Sequence, residues 1–407
     1  MLLLETGVVG VFSALDLFLF FMFWEIMLVP MYLIIGVWGG ERRLYASIKF
    51  VVYTMAGSLL MLVAIVVVGN IASSGDGAIT LDLQGLIQST VPGQAHFWLF
   101  LAFGAAFAVK SGLFPLHSWA PDAYAEAPIP VAMMLAGVMA KTGTYGFIRF
   151  CLPLFPSAVR QLAPLLATLS VIGILFFALQ ALIATDFRRM LAYVSLSHMG
   201  VIVLGIFALN TQGIEGAILQ MVNHGILIAA LFFIAGILED RTGSRSLRDY
   251  GALATKVPWL ATAFMIVSLA TLGLPGMNSF AGEFLAFLGA FRFNPWTGLL
   301  ATFVVVPAAW YMLRFVQGAM QGPAPMSGPV AAALEAKGAG GGIRDLAWHE
   351  SLILLPVIVL IFGLGLAPGT VTGRIEPSVT LVSSPYAPVT ASRVQSGHLG
   401  THVGSHA

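Results

Sequence analysis

Long apolar stretches, separated by short polar connections, make up most of this chain. Each is long enough, or nearly so, to cross about 30 Å of hydrocarbon as an α-helix. The ten stretches are Leu15–Ile35, Ile48–Gly69, Phe97–Leu113, Ile129–Ile148, Pro164–Ala184, Leu191–Ala208, Ile214–Leu238, Trp259–Leu274, Thr297–Met320 and Leu352–Leu366.

Two shorter apolar pieces, Met1–Ala14 and Phe280–Phe293, bring the predicted number of spans to about eleven or twelve. Hydrophobic residues form 58% of the chain and charged residues only 9%, and no segment indicates a separate soluble domain. Because irregular backbone cannot face lipid, the sequence predicts an all-α polytopic membrane protein.

Three ionisable residues, Glu25, Lys110 and Lys141, stand inside these apolar stretches. An ionisable side chain at the centre of a bilayer costs at least about 2.5 to 3.5 kcal/mol, so it usually faces a protein interior or a wet cavity. The plain alternatives are a buried structural acid and a lysine whose stem reaches the membrane surface. Acids and bases together favour a path for protons.

Proline interrupts two of the predicted helices. Pro115 follows the stretch that contains Lys110, and Pro275 lies in the string TLGLPGMNSFAGEF, just before Glu283. Proline removes a backbone donor, and the freed polar groups need protein or water as partners at membrane depth. Paired interrupted helices in two halves of a chain are typical of inverted-repeat transporters.

The spacing of the ionisable residues is similar in the two halves. Glu25 and Lys110 are 85 residues apart, and so are His198 and Glu283. A histidine in an apolar stretch, such as His198 or His224, is more often a core residue when it is judged alone.

Composition argues against several other functions. The net charge of +1 gives no indication of a nucleic-acid partner, and the single cysteine, Cys151, excludes an internal disulfide. No cysteine pair suggests an iron–sulfur or haem site, and no Walker loop or dinucleotide fingerprint is present. His398, His402 and His406 lie in a Gly/Ser-rich tail that we expect to be disordered, so we predict no metal site.

Six strings spread along the chain resemble a known family. The strings are FWEIMLVPMYLIIGVWGGERR, FAVKSGLFPLHSWAPDAYAEAP, LAGVMAKTGTYGFIRF, LAYVSLSHMGVIVLG, MVNHGILIAALFFIAG and NSFAGEFLAFLGAF. Together they resemble the antiporter-like subunits of NADH-quinone oxidoreductase, respiratory complex I, over residues 10–367. The paralogues L, M and N share such motifs with Mrp-type sodium/proton antiporters. Glu283 stands where L, N and Mrp chains typically carry lysine, which favours the M type, chain 4.

The resemblance implies a bundle with two inverted repeats, each containing a broken helix. We expect the first, incomplete repeat at residues 15–150 and the second at 159–320. A Gly/Pro-rich loop at 321–350, a last transmembrane helix at 351–369 and a flexible tail at 370–407 would follow. Residues 1–14 would be the remnant of a truncated helix, because family members begin about three helices earlier.

The resemblance also implies which side chains carry protons. The expected relay residues are Glu25, Lys110, Lys141, His198, His224 and Glu283, with Glu283 near the exit. His117 is expected either to support this path or to brace the first broken helix.

A mechanism follows from the behaviour of charges in a dry interior, which disfavours ionised groups unless an opposite charge is close. Glu25 and Lys110 would then alternate between an ion pair and a separated state in which Lys110 releases its proton toward Lys141. This chain carries no cofactor motif, so its energy must come from elsewhere. In the family, NADH, FMN, iron–sulfur clusters and quinone belong to partner subunits.

The expected partners are the other membrane subunits of complex I, including L- and N-type paralogues, within a bacterial plasma membrane. Three classes of protein remain open: a proton-pumping subunit, an Mrp-type cation/proton antiporter and a structural membrane scaffold. Glu283 favours the first over the second, and the array of buried charges disfavours the third.

Overall fold

The structure, a computed structural model, describes residues 1–73, 79–89, 92–335 and 343–387, and most of these residues lie in helices. Within these ranges no strand is present, and extended pairing is limited to two isolated bridges, Asp16–Asp82 and Asp186–Ser246. The all-α prediction is therefore confirmed.

The first half of the chain ends with a helix that changes its winding twice. Two π-helical turns, Leu135–Met139 and Phe147–Cys151, flank α9. The α-helices of this half are α1 (Leu2–Ser13), α2 (Leu17–Ile26), α3 (Leu28–Trp38), α4 (Arg43–Ile71), α5 (Leu83–Gln88), α6 (Gly93–Ser111), α7 (Trp119–Glu126), α8 (Ile129–Met134), α9 (Ala140–Gly146) and α10 (Leu152–Leu154).

The second half contains the longest helix among the described residues, α13. A π-helical turn, Gln317–Gln321, and two 3-10 turns, Leu253–Thr255 and Ser384–Tyr386, complete it. Its α-helices are α11 (Pro156–Ile183), α12 (Phe187–Phe207), α13 (Thr211–Thr242), α14 (Pro258–Thr271), α15 (Asn278–Phe293), α16 (Pro295–Thr302), α17 (Val305–Val316), α18 (Pro329–Glu335), α19 (Trp348–Leu366) and α20 (Gly369–Ser383).

Eight continuous helical segments of the described chain are long and apolar enough to cross a membrane. They are Leu17–Trp38, Arg43–Ile71, Ile129–Leu154, Pro156–Ile183, Phe187–Phe207, Thr211–Thr242, Pro295–Gln321 and Trp348–Leu366. The short helix α1 and the two broken helices, α6–α7 and α14–α15, bring the number of spans among the described residues to eleven. This number agrees with the prediction of about eleven or twelve. The helix α12 lies at the centre of the bundle, since nearly all of its residues are buried.

Both predicted helix breaks are present. Pro115 lies between α6 and α7, and Gly112 ends α6 with a left-handed φ of 69°. The indole nitrogen of Trp119, at the start of α7, donates to the carbonyl of Val109 at 2.9 Å and so ties the two helices together across the break. Pro275 lies in the turn between α14 and α15.

The structure corrects the boundaries of two segments near the C-terminus. Residues 369–383 form α20, so the prediction of a flexible tail is wrong for 370–383. The tail packs there because Val379 is buried and the hydroxyl of Tyr386 donates to the carbonyl of Leu152 at 2.6 Å. The supposed loop at 321–350 likewise contains α18 and the start of α19, whereas His398, His402 and His406 lie outside the described residues.

A network of ion pairs ties the end of α7 to α12 and α13. The carboxylate of Glu239 accepts from Arg188 and from Arg245, each at 2.6 Å. Arg188 also donates to the carbonyls of Ala125, at 3.3 Å, and Ala127, at 2.9 Å, at the C-terminal end of α7. One guanidinium of α12 therefore caps the first broken helix and at the same time pairs with α13.

A second ion cluster holds α7 from its other side. Asp122 accepts from Lys49 of α4 at 2.8 Å and from Arg189 of α12 at 3.0 Å. These side-chain contacts thus fix the position of α7, which is too short to be held by helix packing alone.

We expect Arg188→Ala to lower the free energy of unfolding by about 1–3 kcal/mol, because it removes the donor to the buried carbonyl of Ala127 and one partner of Glu239. The measurement is the thermal unfolding midpoint of the purified protein in detergent. Arg248→Ala, at an exposed arginine on the neighbouring loop, is the control. Equal midpoints for the two variants would contradict this assignment.

Candidate proton path

Glu25 lies where α2 gives way to α3. Pro30, one turn later, has no amide hydrogen for the carbonyl of Ile26, so the helix cannot continue with regular hydrogen bonds. Met27 between the two helices instead donates its amide to the carbonyl of Glu25. The kink therefore falls at the predicted acid, whose side chain is partly exposed.

Lys110 is only 3% exposed and lies in the last turn of α6. Its ammonium group is 4.7 Å from the ring centroid of Trp24, a cation–π contact. Among the described residues, no ion pair within 4.0 Å joins Lys110 to Glu25, although the carboxylate is close enough to act on the ammonium electrostatically. The structure thus holds this acid and this base in a separated arrangement.

Trp24 is a residue that the sequence analysis missed. Its indole nitrogen donates to the hydroxyl of Ser58 at 3.0 Å, so the ring is held between α2 and α4. The signal in the sequence is its place next to Glu25 in the string FWEIM. A group that lies close to Glu25 can also be close to the residue beside it.

The helices that carry the two lysines approach closely at Gly143. A Cβ atom on this glycine would lie 2.6 Å from the carbonyl oxygen of Phe107 and 3.3 Å from the Cβ of Lys110. No larger residue fits without moving α6. The absence of a side chain therefore allows the segment that carries Lys141 to pack directly against the turn that carries Lys110.

Lys141 is 4% exposed and follows the first π-helical turn. The amide of Ala140 donates to the carbonyl of Leu135 with the five-residue spacing of a π-helix, so it does not occupy the carbonyl of Ala136. The ammonium group of Lys141 donates to that carbonyl at 2.5 Å. The change in winding thus provides the buried amine with an acceptor from its own helix.

The helix α13 crosses this π-helical turn at Gly225, the residue after His224. A Cβ on Gly225 would lie 2.8 Å from the carbonyl oxygen of Gly137 and 4.0 Å from the Cε of Lys141. His224 is only 2% exposed and immediately precedes this crossing point on α13. The close crossing brings Lys141 and His224 to the same place.

The two predicted histidines stack on each other. The ring centroids of His198 and His224 are 5.3 Å apart, with an angle of 23° between the planes. In the part of the chain that the structure describes, three of their four ring nitrogens have no protein hydrogen-bond partner. Buried polar atoms of this kind usually bond to water, and an imidazole can both accept and donate a proton.

Glu283 completes this run of contacts. Its Oε1 atom is 2.8 Å from Nδ1 of His198, and it accepts from the hydroxyl of Ser279 at 2.9 Å and from the amide nitrogen of Gln220 at 3.0 Å. Its Oε2 atom lies where a Cβ on Gly273, in the left-handed conformation at φ 72°, would be only 2.9 Å away. The second helix break therefore makes room for the carboxylate.

His117 has a different environment from the other predicted residues. Its ring lies 4.6 Å from that of Phe177 and 5.7 Å from that of Phe114, and it is partly exposed. These contacts connect the turn after α6 to α11, as a brace for the broken helix would. Among the described residues, no group of three or more histidines, cysteines or acids is arranged to hold a metal ion.

A helical bundle with two broken helices and a line of buried bases and partly buried acids defines an antiporter-like membrane subunit. Residues 14–307 match the family described as NADH:quinone oxidoreductase/Mrp antiporter, TM. NADH-quinone oxidoreductase subunit M of Rhodobacter capsulatus is 42% identical over 386 residues, which cover 93% of this chain and 73% of that protein.

Solved structures agree with this match. A chain of respiratory complex I from Thermus thermophilus superposes with a TM-score of 0.85 at 35% identity, covering 95% of this chain and 78% of that one. The Mrp complex from Dietzia sp. contains the same fold, with a TM-score of 0.80 at 23% identity over 96% of this chain and 78% of that one. The chain belongs to the NADH:quinone oxidoreductase/Mrp antiporter family, among its NADH-quinone oxidoreductase subunit M members, which confirms the resemblance.

We expect Gly143→Ala to destabilise the protein by about 1–3 kcal/mol, because the added methyl group would overlap the backbone of α6. Thermal unfolding in detergent measures the effect. Gly104→Ala on α6 is the matched control, since its added Cβ would meet neighbours at 3.6 Å or more, which is ordinary contact. A Gly143→Ala protein as stable as the control would show that the close approach of the two lysine helices is not required.

Proposed function

We propose that this chain moves protons across the membrane as the M-type subunit of a NADH-quinone oxidoreductase. The single observation that carries the proposal is the line of ionisable groups from Lys141 to Glu283. Lys141 lies beside the crossing at Gly225, the residue after His224; the rings of His224 and His198 stack, and Nδ1 of His198 contacts Glu283. Each member can gain and lose a proton, and each lies beside the next. A structural scaffold has no need of such a series, because buried ionisable groups cost free energy.

The first part of the path is a switch made by Glu25, Lys110 and Trp24. In the separated arrangement the ammonium group rests on the indole ring, which stabilises a cation by about 0.5–2 kcal/mol. An approach of Glu25 would replace this weak contact by an ion pair and hold the proton on Lys110. Withdrawal of Glu25 would favour the neutral amine in this dry site and release the proton toward Lys141.

From Lys141 the proton would pass along the second half of the bundle. The stacked rings of His224 and His198 provide two groups that accept at one nitrogen and donate at the other. Glu283, in contact with Nδ1 of His198, is the last acceptor. The first turns of α15 favour a negative charge there, because helix amides at an N-terminus carry partial positive charge.

The energy for transport comes, in this proposal, from partner subunits that bind NADH, FMN, iron–sulfur clusters and quinone. The L- and N-type paralogues would be its neighbours in the bacterial plasma membrane. Glu283 favours a NADH-quinone oxidoreductase subunit over an Mrp-type antiporter. The acid is matched by His198, Ser279 and Gln220, three partners that can each donate to a carboxylate, whereas a lysine there would face three donors.

We expect Lys110→Ala to reduce NADH-driven proton uptake at least about tenfold, since general acid–base groups typically contribute more than that. Lys110→Arg should be impaired as well, because a guanidinium group does not release its proton. Uptake is measured in membrane vesicles and divided by the amount of assembled complex. The exposed Lys256→Ala variant is the control, and wild-type uptake by Lys110→Ala would refute the role of this lysine.

Glu283→Gln should stop proton uptake to a similar extent, because an amide keeps the size of the side chain but cannot take up and release a proton. The same vesicle assay applies. Glu215→Gln is the matched control: this acid lies on α13 but faces Thr372 and Glu376 rather than the histidines. Full uptake by Glu283→Gln would exclude Glu283 as the terminal group and with it the proposed path.

A further inference from the structure

Gln220 is a fully buried side chain that lies among the last members of the path. It is on α13, one helical turn before His224, and has no exposed surface. Its amide nitrogen is 2.8 Å from the hydroxyl of Ser279, 3.0 Å from Oε1 of Glu283 and 3.5 Å from Nδ1 of His198. One amide group therefore touches every group that contacts the terminal carboxylate oxygen.

Packing fixes this amide as closely as its hydrogen bonds do. A Cβ on Gly282 would lie 2.7 Å from Oε1 of Gln220 and 2.9 Å from its backbone nitrogen, so α13 and α15 meet here with no space for a side chain. The helix that carries Gln220 is thus pressed against the helix that carries Glu283. The amide cannot withdraw without separating the two helices.

The two ends of the amide have different surroundings. The nitrogen, with two hydrogens, faces two acceptors, the hydroxyl of Ser279 and Oε1 of Glu283, whereas Oε1 of Gln220 is buried without a donor among the described residues. The reverse orientation would place Oε1 against the carboxylate of Glu283. The network therefore assigns the nitrogen to the acidic side when Glu283 is ionised.

We propose that Gln220 is the positioning residue for the last proton transfer, holding Oε1 of Glu283 against Nδ1 of His198 in both protonation states of the acid. In the transfer, the N–H bond of the imidazolium breaks and an O–H bond forms on the carboxylate. The products are a neutral imidazole and a carboxylic acid. The inference rests on the proposed function, since it concerns the same terminal group.

An amide suits this position because it can present either a donor or an acceptor. The nitrogen, 3.0 Å from Oε1 of Glu283, stabilises the ionised carboxylate before the transfer. After the transfer, the new O–H group needs an acceptor, and the unpaired Oε1 of Gln220 provides one when the amide turns over. An apolar side chain of equal size would serve neither state.

The experiment compares Gln220→Met with Leu227→Met, both in the assembled complex in membrane vesicles. Methionine has nearly the length of glutamine but neither donates nor accepts strongly. Leu227 is equally buried on the same helix and lies two turns further along. We expect Gln220→Met to lose proton uptake at least about tenfold, because misplacing a reacting group costs rate steeply, and Leu227→Met to keep it.

A double variant separates positioning from a general loss of structure. If Gln220 acts through Glu283, Gln220→Met combined with Glu283→Gln should be no worse than Glu283→Gln alone, whereas independent effects would multiply. Full uptake by Glu283→Gln would overturn the proposed function. Loss in Glu283→Gln with wild-type uptake in Gln220→Met, or multiplied losses in the double variant, would overturn only the role of Gln220.

Redox-induced infrared difference spectra give a second readout. The carbonyl stretch of protonated Glu283, identified by its disappearance in Glu283→Gln, should shift in Gln220→Met and stay in place in Leu227→Met, since it depends on the hydrogen bonds of the carboxyl group. An unshifted band in Gln220→Met would overturn the inference. If Gln220→Met fails to assemble, the second variant is Gln220→Glu, which keeps the size and polarity of the side chain. This variant should still lose proton uptake, because it places a second carboxyl group beside Glu283. Normal uptake by Gln220→Glu would overturn the inference as well.

Discussion

The cost of placing a charge in an apolar interior is the constraint on which the rest of this structure depends. Three ionisable groups of the path each have a contact that reduces this cost, and the three contacts differ in kind. Lys110 lies on an indole ring, Lys141 donates to a backbone carbonyl, and Glu283 accepts three hydrogen bonds. None of these three contacts is a lysine–carboxylate ion pair. Groups held by such moderate contacts can change their protonation state, whereas a tight ion pair would fix it.

Departures from regular helix geometry provide several of these contacts. The kink at Met27 falls beside Glu25, a π-helical turn frees an acceptor for Lys141, and Gly273 in the break after α14 makes room for the carboxylate of Glu283. Irregular backbone is tolerated at membrane depth only where protein or water can satisfy it. The irregular turns and the ionisable side chains therefore occur together because each supplies the polar partners that the other requires.

The ion network at the end of α7 and the predicted proton path share the same helices. Arg188 lies in the first turn of the helix that carries His198, and Glu239 lies in the last turn of the helix that carries Gln220 and His224. A contact between these two side chains fixes α12 against α13 at one end. The stacking of the histidine rings near the middle then depends on a spacing that the ion pair helps to set. Charged groups near the helix ends thus support the geometry of those in the interior.

The sequence by itself determined the membrane class, the approximate helices, both broken helices and the family, because apolar length, proline and motif strings are local properties of the chain. It also identified the ionisable side chains of the interior. It did not predict Trp24 over Lys110, Gln220 between His198 and Glu283, or the helix α20 in the supposed tail. Gln220 and Glu283 are 63 residues apart in the chain, so their contact depends on how α13 and α15 pack and rotate. Only the tertiary structure decided these pairings, since hydropathy shows that a helix is buried but not which of its faces meets which neighbour.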